Sequence, residues 1–257
     1  MPKAKLNNIE IYYEVKGQGE VILFTHGASW DYKQWQPQIE ALSKSFTTIV
    51  WDVRGHGRSS LPPGKVDSED FSKDIVCLLD HLGVEQAHLC GLSMGGHISL
   101  QTAVRYPEMV KSLILIGTPY TNKYNWVERI LVPINRWSSH TIPMRLLGAI
   151  QAKTLSKFNK DNEQYIKETV KSIPLNKWVR IWNSVSRMES KRDLHKVVCP
   201  TLILQGDHDK MTERQQEEMA KMIPNSTLIY VKDAHHATNL DNPEQVNDEI
   251  YKHIKKM

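Results

Sequence analysis

Ser93 stands between two glycines in the run Gly91-Leu92-Ser93-Met94-Gly95. Apolar residues Ala87 to Cys90 precede it, and a helix-like run from Met94 to Tyr106 follows, ended by Pro107. A strand turning sharply into a helix, with serine at the apex, lifts the hydroxyl above the sheet edge. The small neighbours leave room for the turn and for close packing of helix on strand. A neutral hydroxyl is a weak nucleophile, so it needs a base within hydrogen-bond reach, and the base needs a third group to orient it. The chain carries such groups after further short apolar runs. They are Thr25-His26-Gly27-Ala28, Asp52 to Ser59 with Arg54 and His56, Gln205-Gly206-Asp207-His208-Asp209, and Lys232-Asp233-Ala234-His235-His236. Serine, carboxylate and histidine thus succeed one another along the chain, the equipment of acyl transfer through a serine.

The elements that must position these residues can be read from periodicity. Ile9, Ile11, Tyr13 and Val15 alternate with polar or aromatic neighbours, predicting a half-buried strand in a hairpin turned at Asn7-Asn8 or at Gly17-Gln18-Gly19. Val21 to Phe24 reads as a strand buried on both faces. Helical stripes at Trp35-Ile39-Leu42-Phe46 and at Phe71-Ile75-Leu78-Leu79-Leu82 then alternate with strands at Thr48–Trp51, Ala87–Cys90 and Ser112–Ile116. Asp67 or Ser68 is the expected N-cap of the second helix. From about residue 119 to 197 there is no convincing strand, only four helical stretches separated near Pro133, Pro143, Asn159 and Pro174. The alternation resumes with a strand at Thr201–Leu204, a capping box Thr212-x-x-Gln215 and a strand at Thr227–Val231. A last helix opens on Asn242-Pro243. Strand and helix alternating in this way predict a mostly parallel sheet covered on both faces, with ligands bound at the carboxyl ends of its strands.

Composition sets outer bounds. The 257 residues suit one large domain or a core with an inserted subdomain. No run approaches the roughly 20 apolar residues of a membrane span, and the first residues contain no apolar signal-peptide core. Cys77, Cys90 and Cys199 are few, odd in number and far apart, which predicts reduced thiols and a cytoplasmic protein. Their spacing is not that of metal ligands, and the net charge of +4 does not point to nucleic acid. That charge is uneven. Thr121 to Val198 holds 15 Lys/Arg against 6 Asp/Glu, so this segment carries +9 and the remainder −5. A basic segment of this kind is either a solvated helical surface or an attractor of anionic substrates or surfaces.

The combination resembles the α/β-hydrolase superfamily over essentially the whole chain. Asp52 to Ser60 with Leu61-Pro62-Pro63-Gly64, and then Cys90 to Gly96, resemble cap-bearing esterases and lactonases of the 3-oxoadipate enol-lactonase kind. The resemblance implies an eight-stranded, mostly parallel sheet, a hydrolase core at 1–118 and 198–257, and a helical cap at 119–197. It implies Ser93 as nucleophile. His236 is the implied base, because it is the histidine placed before Leu240-Asp241-Asn242-Pro243-Glu244, with His235 the alternative. Asp209, three residues past Gly206, is the implied acid ahead of Asp207. The backbone N–H groups of Ala28 and Met94 are the expected oxyanion donors. The same resemblance gives His26, Arg54 and His56 loop-shaping roles; His97 and Cys90 read as packed interior residues.

The expected reaction is therefore two-step hydrolysis of an ester or lactone, without cofactor or metal. The expected partner is a small molecule, anionic if the basic cap selects it. Trp126, Trp178, Trp182 and Met144 of the cap are the candidate pocket residues. Two other readings go with the resemblance: a triad-bearing receptor or signalling protein of the same fold, and a cofactor-free perhydrolase sharing Ser-Met-Gly-Gly. The sequence is silent on oligomeric state.

Overall fold

Every second residue of the central strands faces the same way, and the two apolar sets this creates are buried on opposite sides of one sheet. The computed structural model describes residues 2–257. Its eight strands are β1 (Lys3–Leu6), β2 (Ile9–Lys16), β3 (Val21–Thr25), β4 (Thr47–Trp51), β5 (Ala87–Leu92), β6 (Val110–Ile116), β7 (Thr201–Gly206) and β8 (Ser226–Val231). They lie in the order β1-β2-β4-β3-β5-β6-β7-β8. β2 pairs antiparallel with β1 and with β4, and all later pairings are parallel. The β1–β2 hairpin turns at Asn7 and Asn8, both at positive φ, where asparagine is better tolerated than most residues.

Leu23, Ile49, Leu89, Leu115 and Ile203 pack on one face with α2 (Glu69–His81), α3 (Met94–Arg105) and α8 (Glu213–Met222). Ile22, Phe24, Val50, Cys90, Ile114 and Leu204 pack on the other with α1 (Gln36–Leu42) and α10 (Pro243–Lys255). The three-layer α/β architecture is that of the expected hydrolase fold. Arg54 joins the loop after β4 to α2 through a bidentate pair with Asp74, at 2.6 and 2.7 Å, and a contact to Asp70 at 2.7 Å.

Between β6 and β7 the alternation stops for four helices, α4 (Trp126–Ser138), α5 (Met144–Leu155), α6 (Asn162–Ser172) and α7 (Leu175–Val185). Pro133 does not separate helices as expected; it lies inside α4, whose first turn is capped by the Asn125 side chain accepting from Glu128 N. The capping box at Thr212 also fails to form. Thr212 Oγ1 is drawn to Asp209, and Gln215 Oε1 accepts from the backbone N–H groups of Tyr120 and Thr121. After β8 come the short α9 (Thr238–Asp241) and α10, where the Asn242 side chain caps by accepting from Gln245 N at 3.1 Å.

Candidate active site

The chain runs from β3 outward to β4 on one side and, later, to β5 on the other, so a crevice opens between the loops after β3 and β5. Ser93 sits at the end of β5 with φ 55° and ψ −115°. A non-glycine residue held there costs on the order of 1–3 kcal/mol, which the surrounding packing must offset. That packing is tight. A Cβ on Gly95 would stand 2.0 Å from the Thr25 carbonyl oxygen, and one on Gly91 would stand 2.3 Å from the carbonyl carbon of Gly95. Only glycines permit the approach.

Ser93, His236 and Asp209 are brought together from the ends of three strands. His236 Nε2 lies 2.9 Å from Ser93 Oγ, and His236 Nδ1 lies 2.8 Å from Asp209 Oδ2. With Nδ1–H donating to the carboxylate, Nε2 presents its lone pair to the serine hydroxyl. Asp209 also accepts from Thr212 Oγ1 at 2.8 Å and from Met211 N at 2.9 Å. Burial opposes its ionisation, but the facing imidazolium and these donors outweigh it and hold the carboxyl at about 2. For His236 burial disfavours the charged ring; Asp209 overrides this and raises its pKa above the ordinary value.

The competing residues have other tasks. Asp207 accepts from Asp233 N and Ala234 N, shaping the turn that carries His236. His235 N donates to Asp241 Oδ2 at 2.9 Å. His26 Nε2 accepts from Val53 N, and His56 Nε2 accepts from Ser29 N, so both rings brace the loop after β3. Burial pushes His56 down to about 4, leaving it neutral.

Ala28 and Met94 line the same cavity as Ser93 and His236, a space of about 470 Å³ between the strand-end loops and the inserted helices. Trp182 lines it as well. Trp126, Trp178 and Met144 do not. Trp178 is buried and stacks on Trp182 at 5.7 Å between ring centroids, while Met144 is buried in the apolar cluster beneath. Trp126 points outward to solvent. Periodicity identified apolar faces on these helices without saying which face met the cavity. The cavity wall instead includes Trp30, Val132, Ile150, Leu155 and Val185, with Gln151, Thr154 and Asn122 as polar groups.

The alpha/beta hydrolase fold family matches residues 20–243. The chain belongs to that family. Among its relatives is 3-oxoadipate enol-lactonase 1 of Acinetobacter baylyi, 24% identical, the match covering 87% of this chain and 84% of the relative. The carboxylesterase YbfK of Bacillus subtilis is 25% identical, over 89% of this chain and 78% of its own. A solved thermophilic esterase from Thermogutta terrifontis, with malate bound, superposes with a TM-score of 0.89 at 28% identity, covering 99% of this chain and 98% of that one.

Two features of this hydrolase escaped sequence reading. Buried Gln34, Gln38 and Asn239 link the loop after β3 to the segment after His236. Gln34 Oε1 accepts from Gly27 N at 2.8 Å, and Gln34 Nε2 donates to Asn239 Oδ1 at 3.2 Å. Asn239 Nδ2 donates to Gln38 Oε1 at 2.9 Å, and Gln38 Nε2 donates to the Asn239 carbonyl at 3.1 Å. Scattered amides carry no sequence pattern, so nothing marked them. The second feature is the charge of the wall. Among the described residues that line the cavity there is no Lys or Arg, and the one carboxylate is Glu128. Burial pushes His97, also in the wall, down to about 3, and its Nε2 pairs with Ser190 Oγ at 2.9 Å. The basic charge of the insertion therefore lies outside the cavity. Among the described residues, no three His, Cys, Asp or Glu side chains are gathered as metal ligands.

Proposed function

We propose that this carboxylic ester hydrolase cleaves uncharged esters or lactones through an acyl-enzyme formed on Ser93, under a helical cap made by residues 119–197. The observation that carries the reading is the continuous chain of contacts from Ser93 Oγ to His236 to Asp209, at 2.9 and 2.8 Å. In the first step Ser93 Oγ attacks the carbonyl carbon and His236 Nε2 takes the hydroxyl proton. The carbonyl oxygen becomes an oxyanion facing the N–H groups of Ala28 and Met94, each such donor contributing about 3–4 kcal/mol to the transition state. As the tetrahedral adduct collapses, the carbon–oxygen bond of the leaving group breaks and His236 passes its proton to the departing alkoxide. In the second step water gives a proton to His236 and its oxygen attacks the acyl carbon. The adduct releases the acid, and the proton returns to Ser93.

A cavity of about 470 Å³ suits a small ligand. Its apolar wall, with Glu128 as the only acidic group and no Lys or Arg among the described residues, favours a neutral acyl or ring portion over a carboxylate-bearing one. The names of the lactonase and esterase relatives support ester or lactone cleavage as the reaction class.

The test compares p-nitrophenyl butyrate with a matched ester bearing a terminal carboxylate. Turnover of the neutral ester should be at least about tenfold more efficient, and Ser93→Ala should lower kcat by about 10⁴-fold or more. Undiminished turnover in Ser93→Ala overturns the nucleophile. A preference for the carboxylate ester overturns the neutral-substrate half.

A further inference from the structure

A surface helix of a globular protein turns its apolar stripe toward the core. α4 does the reverse. Glu128, Val132 and Arg136 face the protein, Glu128 and Val132 forming part of the cavity wall and Arg136 Nη1 being buried. No residue of the helix is fully buried. Trp126, Val127, Ile130, Leu131, Ile134 and Trp137 are turned to solvent, exposed by 74, 40, 54, 54, 52 and 80%. At about 100° per residue, these six side chains share a single arc of about 140°. The two tryptophans lie near opposite ends of the helix, about 16 Å apart along its axis. Asn135 Oδ1 accepts from Trp182 Nε1 at 2.8 Å, so α4 is tied in this orientation to the helix that lines the cavity.

We propose that this face of α4 seats the protein on an anionic lipid surface. Three observations select that occupant. The insertion carrying α4 has a net charge of +9 against −5 for the rest of the chain, so a negatively charged plane attracts the insertion rather than the core. Terminal tryptophans with aliphatic residues between them match the boundary between headgroups and acyl chains, where indole rings are favoured. The helix has 13 residues, and no helix among those described is long and apolar enough to cross a membrane, so α4 would lie in the boundary rather than span it. A second copy of this chain fits less well. It would bring two basic insertions face to face, and six side chains fall far below the roughly 20–30 residues a side of a stable interface. Seated in this way, α4 would stand between the lipid and the cavity wall to which Glu128 and Val132 contribute.

The test uses the full chain with vesicles of phosphatidylcholine alone, and of phosphatidylcholine mixed with phosphatidylglycerol. The protein should co-sediment with the mixed vesicles, its tryptophan emission should shift to the blue, and raised salt should lower the bound fraction at least tenfold. Ile134→Ser/Trp137→Ser should lose at least tenfold in partitioning while hydrolysing a soluble ester at the parent rate. That rate keeps a failure to bind distinct from a failure to fold or to catalyse. No binding by the active parent protein, or equal binding to both vesicles without a salt effect, overturns the proposal. A concentration-dependent dimer abolished by the same double variant overturns it in favour of a second copy.

Discussion

In the proposed reaction His236 accepts a proton only while its ring is neutral, so its surroundings decide where on the pH scale that reaction runs. Asp209 holds the ring's pKa above 6.5 against the opposing effect of burial. The proposed reaction should therefore lose kcat/KM as pH falls through a value above that of an ordinary histidine. Asp209→Asn removes the charge responsible. In a pH–rate series its acidic limb should move to lower pH, and kcat should fall by about 10⁴-fold because the tautomer is no longer held. An unmoved limb would mean that another group titrates. The same pair affects stability in two windows. Asp209, held at about 2, stabilises the fold above the unfolded carboxyl's pKa, and this is lost as pH falls toward 2. His236, raised, stabilises it below the unfolded histidine's pKa, and this is lost as pH climbs through the folded value.

At the scale of elements, the proposed reaction needs the loop after β3 and the loop after β8 in fixed relation, since one holds Ala28 and the other His236. Asn239 joins them through Gln34 and Gln38, all three buried. Asn239→Ala should leave two buried amides short of partners, costing about 1–3 kcal/mol in urea unfolding. It should also lower kcat more than it raises KM. Unchanged stability would mean that water replaces the lost contacts. This link was invisible in the sequence because amides bonded across about two hundred residues leave no local period. The turn at Ser93, by contrast, was legible because a strand, a small-residue corner and a helix are all local patterns. The strands were legible for the same reason. The insertion was only half legible: its helices showed in the periodicity, but which faces met the cavity depends on tertiary packing. Trp178 and Met144 went inward to the core, Trp126 went outward, and only Trp182 reached the cavity. Pro133, whose usual effect on helices predicts a boundary, is tolerated within α4.

Over the whole molecule, charge and chemistry are separated. The core carries the serine, the histidine and the carboxylate at one sheet edge, and its net charge is negative; the insertion is basic, yet among the described residues no lysine or arginine lines the cavity it covers. In the proposed account the basic charge acts on whatever approaches the molecule from outside, while the cavity selects by shape and apolar surface. The selection proposed for the cavity depends on a reaction centred on Ser93. The measurement that bears most directly on that centre is intact-protein and peptide mass spectrometry after treatment with a p-nitrophenyl phosphonate. The account predicts one adduct per chain, located on Ser93, formed in step with loss of esterase activity and absent in Ser93→Ala. An adduct on another residue, or full loss of activity with Ser93 unmodified, would contradict it.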